Sequence, residues 1–126
     1  MNVEKIPATE GRFNLNNYDE VYANFDWAEV EKQFTWHETG KVNMAYEAID
    51  RHLLTDRKNK TALIYSDLTR DESYTFAQLS ELSNKFGNVL RGLGIAKGDR
   101  VFVFMPRTPE LYVSVLGTLK VGAIVG

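Results

Sequence analysis

Cysteine is absent from this 126-residue chain, which excludes disulfides, thiolate nucleophiles and Cys-ligated metal together. Histidine is almost absent: His37 and His52 are the only two. Neither has a second imidazole or a carboxylate at i, i+4 ligand spacing on a clear helix face. The nearby Glu38 and Glu47 complete no recognised metal set. No apolar run approaches the ~18 residues of a membrane span, and Met1–Glu10 has no apolar core of the kind a signal peptide needs. Excess charge is missing too. Lys and Arg number 15 against 17 Asp and Glu, a net charge of −2, and no clustered basic stripe follows a phosphate backbone. The expectation is a soluble cytoplasmic protein with no nucleic-acid and no membrane partner; zero cysteine fits a reducing compartment. No internal repeat or low-complexity segment is present.

What remains is an ordinary globular composition, 44% hydrophobic and 25% charged, at a length that suits one small domain. Its organising stretch is 100–126. Arg100-Val-Phe-Val-Phe-Met105 is a nearly unbroken apolar run, expected as a strand buried on both faces. Pro106-Arg-Thr-Pro109 breaks it. Thr108 is placed to cap a helix with Pro109 at its first position, where a missing N–H costs nothing. Tyr112, Val115, Leu116 and Leu119 form the expected inner face. Gly122 stops the helix and Ala123-Ile-Val125 starts a second strand, giving the strand–helix–strand unit of parallel sheets.

Upstream, residues 1–24 carry few periodic apolar positions and read as an extended arm anchored by Phe13, Leu15, Tyr18 and Tyr22. Asp26 caps a short helix, Trp27–Phe34, and Trp36–Gly40 reads as a loop. Asn43 caps a helix from Met44 to about Leu54, with Ala45, Ile49 and Leu53 on one face. Thr61–Tyr65 reads as a strand, Asp67–Ser73 as a charged hairpin-like loop, and Tyr74 as the start of a returning strand. Thr75-x-x-Gln78 is a capping box for a helix to Leu93, whose stripe is Leu79, Leu82, Phe86, Val89 and Leu93. Gly94 is its C-terminal stop, and Gly98 supplies the turn before Arg100. The expected architecture is α/β with a helical N-terminal extension: 1–43 an arm and short helix, 44–126 the start of a larger domain with its sheet incomplete.

Chemistry is sparse. Gly40-Lys41 lacks the glycine five residues earlier and the Ser or Thr after it that a phosphate loop needs; Thr35 and Val42 stand there. Gly92-x-Gly94 with Gly98 follows a helix, where carbonyls rather than amides are presented, so it is a C-cap and not a dinucleotide loop. The 105–109 turn is the best-placed candidate, at the carboxyl end of a parallel strand, where open α/β sheets collect ligands. There Arg107 is either an anion contact or a solvated side chain. Ser66, Ser73, Ser80, Ser83 and Ser114 lie in no nucleophile-elbow context. The residues by themselves form no catalytic constellation.

Taken in combination, Tyr74-Thr-Phe-x-x-Leu79, Asn84-x-x-x-Asn88-Val-Leu90, Leu93-Gly94, Lys97-Gly-Asp-Arg-Val101, Met105-Pro106, Pro109-Glu110 and Lys120-x-Gly-Ala123 resemble the start of the adenylate-forming domain of acyl- and aryl-CoA synthetases. Phe25-Asp-Trp27, Trp36-His-Glu-Thr-Gly40, Asn43-Met-Ala-Tyr-Glu-Ala-Ile-Asp-Arg-His52 and Met105-Pro-Arg-x-Pro-Glu-Leu-Tyr112 narrow the resemblance to acetate-activating CoA ligases. A propionate- or medium-chain-activating relative would look similar here.

The resemblance implies an AMP-forming ligase that uses ATP with Mg2+, then coenzyme A, and takes small-molecule substrates: acetate, ATP and CoA. It also implies that this chain is an N-terminal fragment. The family's phosphate loop, adenine segment, acyl pocket and catalytic lysine have no matching positions, so no residue is carried over as catalytic, cofactor-binding or metal-binding. The fragment alone is expected to be inactive, to bind none of these cofactors, and to self-associate through uncovered apolar surface. Two other readings stay open. One is a short non-catalytic module that binds a partner through its arm and Trp27, Phe34 and Trp36. The other is a small α/β nucleotide binder using the Arg107 turn.

Overall fold

The computed structural model of the chain describes residues 17–126. Helices α1 (Tyr18–Ala23), α2 (Trp27–Glu31) and α3 (Trp36–Thr39) come first and bury no residue fully. Tyr18 and Tyr22, expected on an extended arm, sit one helical turn apart on α1 with stacked rings 5.8 Å apart, and both are exposed. An i, i+4 aromatic pair behind Asp19 and Glu20 in the first turn favours helix over an extended chain. The other expected anchors, Phe13 and Leu15, lie outside the described residues.

Asp26 caps α2 as expected, accepting from the Ala28 amide at 2.9 Å, but the helix stops at Glu31, short of Phe34. Trp36–Thr39 is one turn of helix rather than a loop. Gly40 closes it at φ +64°, a conformation that glycine adopts without steric cost. The turn is held by the Thr39 hydroxyl, which donates to the Thr35 carbonyl at 3.0 Å.

Asn43 caps α4 (Met44–Ala48), accepting from the Tyr46 amide at 3.1 Å; its own Nδ2 donates to the Leu119 carbonyl at 3.1 Å. The expected continuous helix to Leu54 breaks at Ile49 (φ −125°, ψ −60°) and resumes as a 3₁₀ turn, Asp50–Leu54. Tertiary bonds override local propensity here. The break sends Asp50 to Ser80 and Lys120, while Arg51 returns to the Gln33 carbonyl at 2.6 Å. A second 3₁₀ turn, Asp56–Asn59, follows with Thr55 as its cap.

Strand β1 (Thr61–Ser66) pairs antiparallel with β2 (Asp71–Thr75). The returning strand thus begins at Asp71, earlier than Tyr74. The Asp67 carboxylate makes the shorter loop possible by accepting from the Thr69 and Arg70 amides at 2.6 and 2.9 Å, an Asx turn.

Helix α5 (Phe76–Gly92) opens with the expected capping box: the Gln78 amide donates to Thr75 Oγ1 at 3.2 Å, and the Thr75 amide to Gln78 Oε1 at 2.8 Å. Gly94 follows at φ +85°. Its buried face, however, is Leu79, Ser80, Ser83, Gly87 and Leu90. The expected stripe is turned partly away, leaving Val89 and Leu93 exposed.

The reason is α6 (Pro109–Lys120), which packs on α5 at Gly117 and also buries Ser114 and Thr118, with Tyr112 left exposed and Val115, Leu116 and Leu119 only half-buried. A Cβ on Gly117 would lie 2.8 Å from both the Ser83 carbonyl and the Phe86 ring. Small residues on both helices allow this approach. Their hydroxyls are satisfied within each helix: Ser83 donates to the Leu79 carbonyl at 2.6 Å and Thr118 to the Ser114 carbonyl at 2.8 Å. Periodicity marks apolar positions, whereas close helix packing selects small ones.

Around α6, β3 (Arg100–Val101) and β4 (Ile124–Val125) pair in parallel, the expected strand–helix–strand unit. The Val103 amide extends the ladder to the Gly126 carbonyl at 2.7 Å. The strand is shorter than expected and not buried on both faces. Val101 and Val103 are half-buried, but Phe102 and Phe104 on the other face are 81% and 104% exposed. No described element covers that face. The two strand pairs remain separate sheets, so the architecture is α/β with incomplete sheets.

Candidate functional site

Three groups of polar side chains stand out. The first is the turn after β3. Arg107 is exposed there and has no ion pair among the described residues. Pro109 is buried at the start of α6. Thr108 occupies the cap position without making a side-chain cap bond. Its hydroxyl instead serves Glu110, holding that carboxyl below its usual range, with a backbone amide assisting. The turn has no glycine to let a phosphate approach its backbone closely. Arg107 is its one cation.

The second group centres on Lys120, in the last turn of α6. Its ammonium donates to Asp50 Oδ1 at 2.7 Å, Asn84 Oδ1 at 2.8 Å and the Ser80 carbonyl at 3.3 Å. Ser80 Oγ donates to the same Asp50 oxygen at 2.6 Å. The Lys120 side chain is 10% exposed and Asp50 21%. All three ammonium protons have acceptors, so Lys120 has none left for a ligand; the cluster is a fastening between α5, α6 and the 3₁₀ turn.

The third group joins the N-terminal helices to α4. Glu47 accepts from the Thr35 amide at 3.0 Å and from the Thr35 hydroxyl, and pairs with Arg51 at 3.3 Å. The Arg51 guanidinium lies over the Phe34 ring, 4.6 Å from its centroid, and Phe34 stacks on Trp36 at 4.1 Å. His52 next door packs edge-on against Phe76 at 4.9 Å. Burial lowers its pKa, and Arg51 and Arg57 lower it further.

His37 and His52 are not brought into a metal set: among the described residues no group of three or more His, Asp or Glu could hold an ion. Asp50, Ser80, Asn84 and Lys120 escaped sequence reasoning. Asp50 and Lys120 stand 70 positions apart, and the one available signal was a lysine closing a largely apolar helix.

The parallel β3–α6–β4 unit, with an antiparallel pair and a capped helix before it, defines the opening of an open α/β domain. The AMP-binding enzyme family matches residues 50–125, and the chain belongs to that family. Over its whole length it is 62% identical to acetyl-coenzyme A synthetase of Bacillus subtilis (strain 168), covering 22% of that protein. It is 40% identical over 103 residues to 3-hydroxypropionyl-coenzyme A synthetase of Metallosphaera sedula, covering 78% of this chain and 16% of that one. The crystal structure of Brucella canis acyl-CoA synthetase superposes with a TM-score of 0.74 at 34% identity, over 88% of this chain and 20% of the other. The chain thus spans about a fifth of the length of the relatives it matches.

Proposed function

We propose that these residues form the N-terminal part of an AMP-forming acetate–CoA ligase. Such an enzyme converts ATP, acetate and coenzyme A to acetyl-CoA, AMP and diphosphate through an acetyl-adenylate. The observation that carries this reading is the 62% identity sustained along the entire chain. It includes the N-terminal helices that precede the family match at residue 50. In this reading 1–43 are the extension and 44–126 the start of the adenylate-forming domain, the boundary falling at the Asn43 cap.

ATP, Mg2+ and CoA belong to the whole enzyme. Chemistry at phosphorus rests on positioned positive charge and a phosphate-holding loop. The described residues supply neither a metal set nor a glycine at the turn before α6. The group that would hold Mg-ATP does not fit here, so no step is assigned to these residues, and none is proposed as catalytic, cofactor-binding or metal-binding. The 126 residues by themselves are proposed to be inactive. Among the described residues no helix is long and apolar enough to cross a membrane, which is compatible with a cytoplasmic enzyme of small-molecule substrates.

The likeness to a 3-hydroxypropionyl-coenzyme A synthetase favours a second reading, in which the acyl group is a longer short-chain acid. Pyrophosphate–ATP exchange in the product of the complete reading frame, run with acetate, propionate and 3-hydroxypropionate, tests both. Exchange strongest with acetate, and absent from the 126-residue chain, is the expected result. No exchange with any of the three acids would overturn the ligase reading.

A further inference from the structure

A cleft of 420 Å³ opens where the chain after α2 meets the two 3₁₀ turns, lined by Gln33, Arg51, His52, Thr55, Asp56 and Arg57. Arg51 is incompletely satisfied there. Its Nη1 serves the Gln33 carbonyl and Glu47, while Nη2 makes no hydrogen bond among the described residues and, unlike the buried Nε, is not closed off from solvent. A guanidinium nitrogen left free in this way has two N–H groups to offer an acceptor. Arg57, on the opposite turn, is exposed and has no ion pair among the described residues.

We propose that this cleft binds a small oxyanion, a phosphate or a carboxylate, between the Arg51 and Arg57 guanidiniums, with Gln33 and His52 at its wall. Planar guanidinium forks are the side chains best matched to such oxygens. The charges around the cleft make binding conditional. Arg51 and Arg57 are balanced by Glu47, which pairs with Arg51, and by Asp56 in the cleft wall. His52 is the remaining titratable group in the cleft wall, and α5 sets the Phe76 ring against it. A bound monoanion, a carboxylate or singly charged phosphate, leaves one uncompensated negative charge, which a proton on His52 cancels. Anion and proton are therefore taken up together, and affinity rises as pH falls through the His52 titration. The cleft shares no residue with the 105–109 turn, and the proposal is independent of the ligase reading.

The test follows the His52 ring by NMR in the 126-residue chain carrying His37→Gln, which leaves one imidazole. Inorganic phosphate or acetate is titrated at constant ionic strength against chloride. A saturable rise in the His52 pKa with either oxyanion, absent with chloride, is expected. Arg57→Gln, a change at an exposed side chain, should weaken it about tenfold, the loss of one charge-assisted bond. Hydrogen exchange by mass spectrometry over residues 50–60 gives a second readout that tolerates self-association, with protection expected on adding phosphate and not chloride. Equal effects of chloride and phosphate, or an Arg57→Gln response identical to the parent's, would overturn the proposal. A response to phosphate but not acetate keeps the site and makes it phosphate-selective; the reverse makes it a carboxylate site.

Discussion

The Lys120 ammonium lies 2.7 Å from Asp50 Oδ1 and joins the end of α6 to the 3₁₀ turn after α4, across 70 positions of sequence. The pair is mostly withdrawn from water and has further acceptors in Ser80 and Asn84. Removing one member of such a pair strands the other charge. Lys120→Met is expected to lower unfolding free energy by about 3 kcal/mol, read from urea denaturation. The double variant Lys120→Met with Asp50→Leu should recover part of that loss, because no charge is then left without its partner. A double variant as unstable as the sum of the singles would show that the two charges do not act as a pair.

Gly117 sets how closely α5 and α6 approach. A methyl group there meets the Ser83 carbonyl and the Phe86 ring at 2.8 Å, while one at Gly87 meets its nearest neighbours at 3.4 Å, ordinary contact. Gly117→Ala is therefore expected to destabilise by roughly 1–3 kcal/mol through overpacking. Gly87→Ala should cost less, since the helical propensity of alanine offsets part of any strain. Melting temperatures of the two variants, compared side by side, check the order.

The same helix pair shows what the sequence made legible. Caps at Asp26, Asn43 and Thr75, and the glycine stops at Gly94 and Gly122, are local devices whose geometry needs a few neighbouring residues, and the structure has them. The strand–helix–strand order of 100–126 was also readable, because a proline-initiated helix between apolar runs has few alternatives. Which face of α5 or α6 is buried was not readable. A stripe of Ser, Gly and Thr has no hydrophobic signature, and its burial depends on a partner helix about 30 residues away. The break at Ile49 likewise depends on Lys120, Ser80 and Gln33, all distant in the chain. As for the site, Arg107 was placed correctly at the carboxyl end of β3, yet it stands alone, and the Asp50–Lys120 cluster left no trace beyond the lysine that closes α6.

His52 makes stability depend on pH. Its folded pKa is lowered, first by burial and then by Arg51 and Arg57, with Glu47 opposing. Below its unfolded value of about 6.5 the unfolded chain binds the proton more readily than the folded one. The His52 contribution is therefore complete above that value and is lost as pH falls through the lowered folded pKa. His52→Gln should flatten the stability–pH curve across that acid flank, measured by urea midpoints from pH 7 downward. An unchanged slope would mean that His52 titrates alike in both states.

Phe102 and Phe104 share one face of the β3 strand with Ile124, and all three are exposed. The opposite face carries Val101 and Val103, which are half-buried. An apolar strand face beside an unpaired sheet edge favours association between chains. The 126-residue chain alone is accordingly expected to sediment as dimers or larger species at micromolar concentration. Phe102→Ser with Phe104→Lys should shift it toward monomer, since neither side chain packs in the described core and a lysine on a strand edge opposes pairing. Analytical ultracentrifugation of the two chains decides the matter. A parent that already sediments as a monomer with a cooperative melt would show that the uncovered face is not sticky enough to drive assembly.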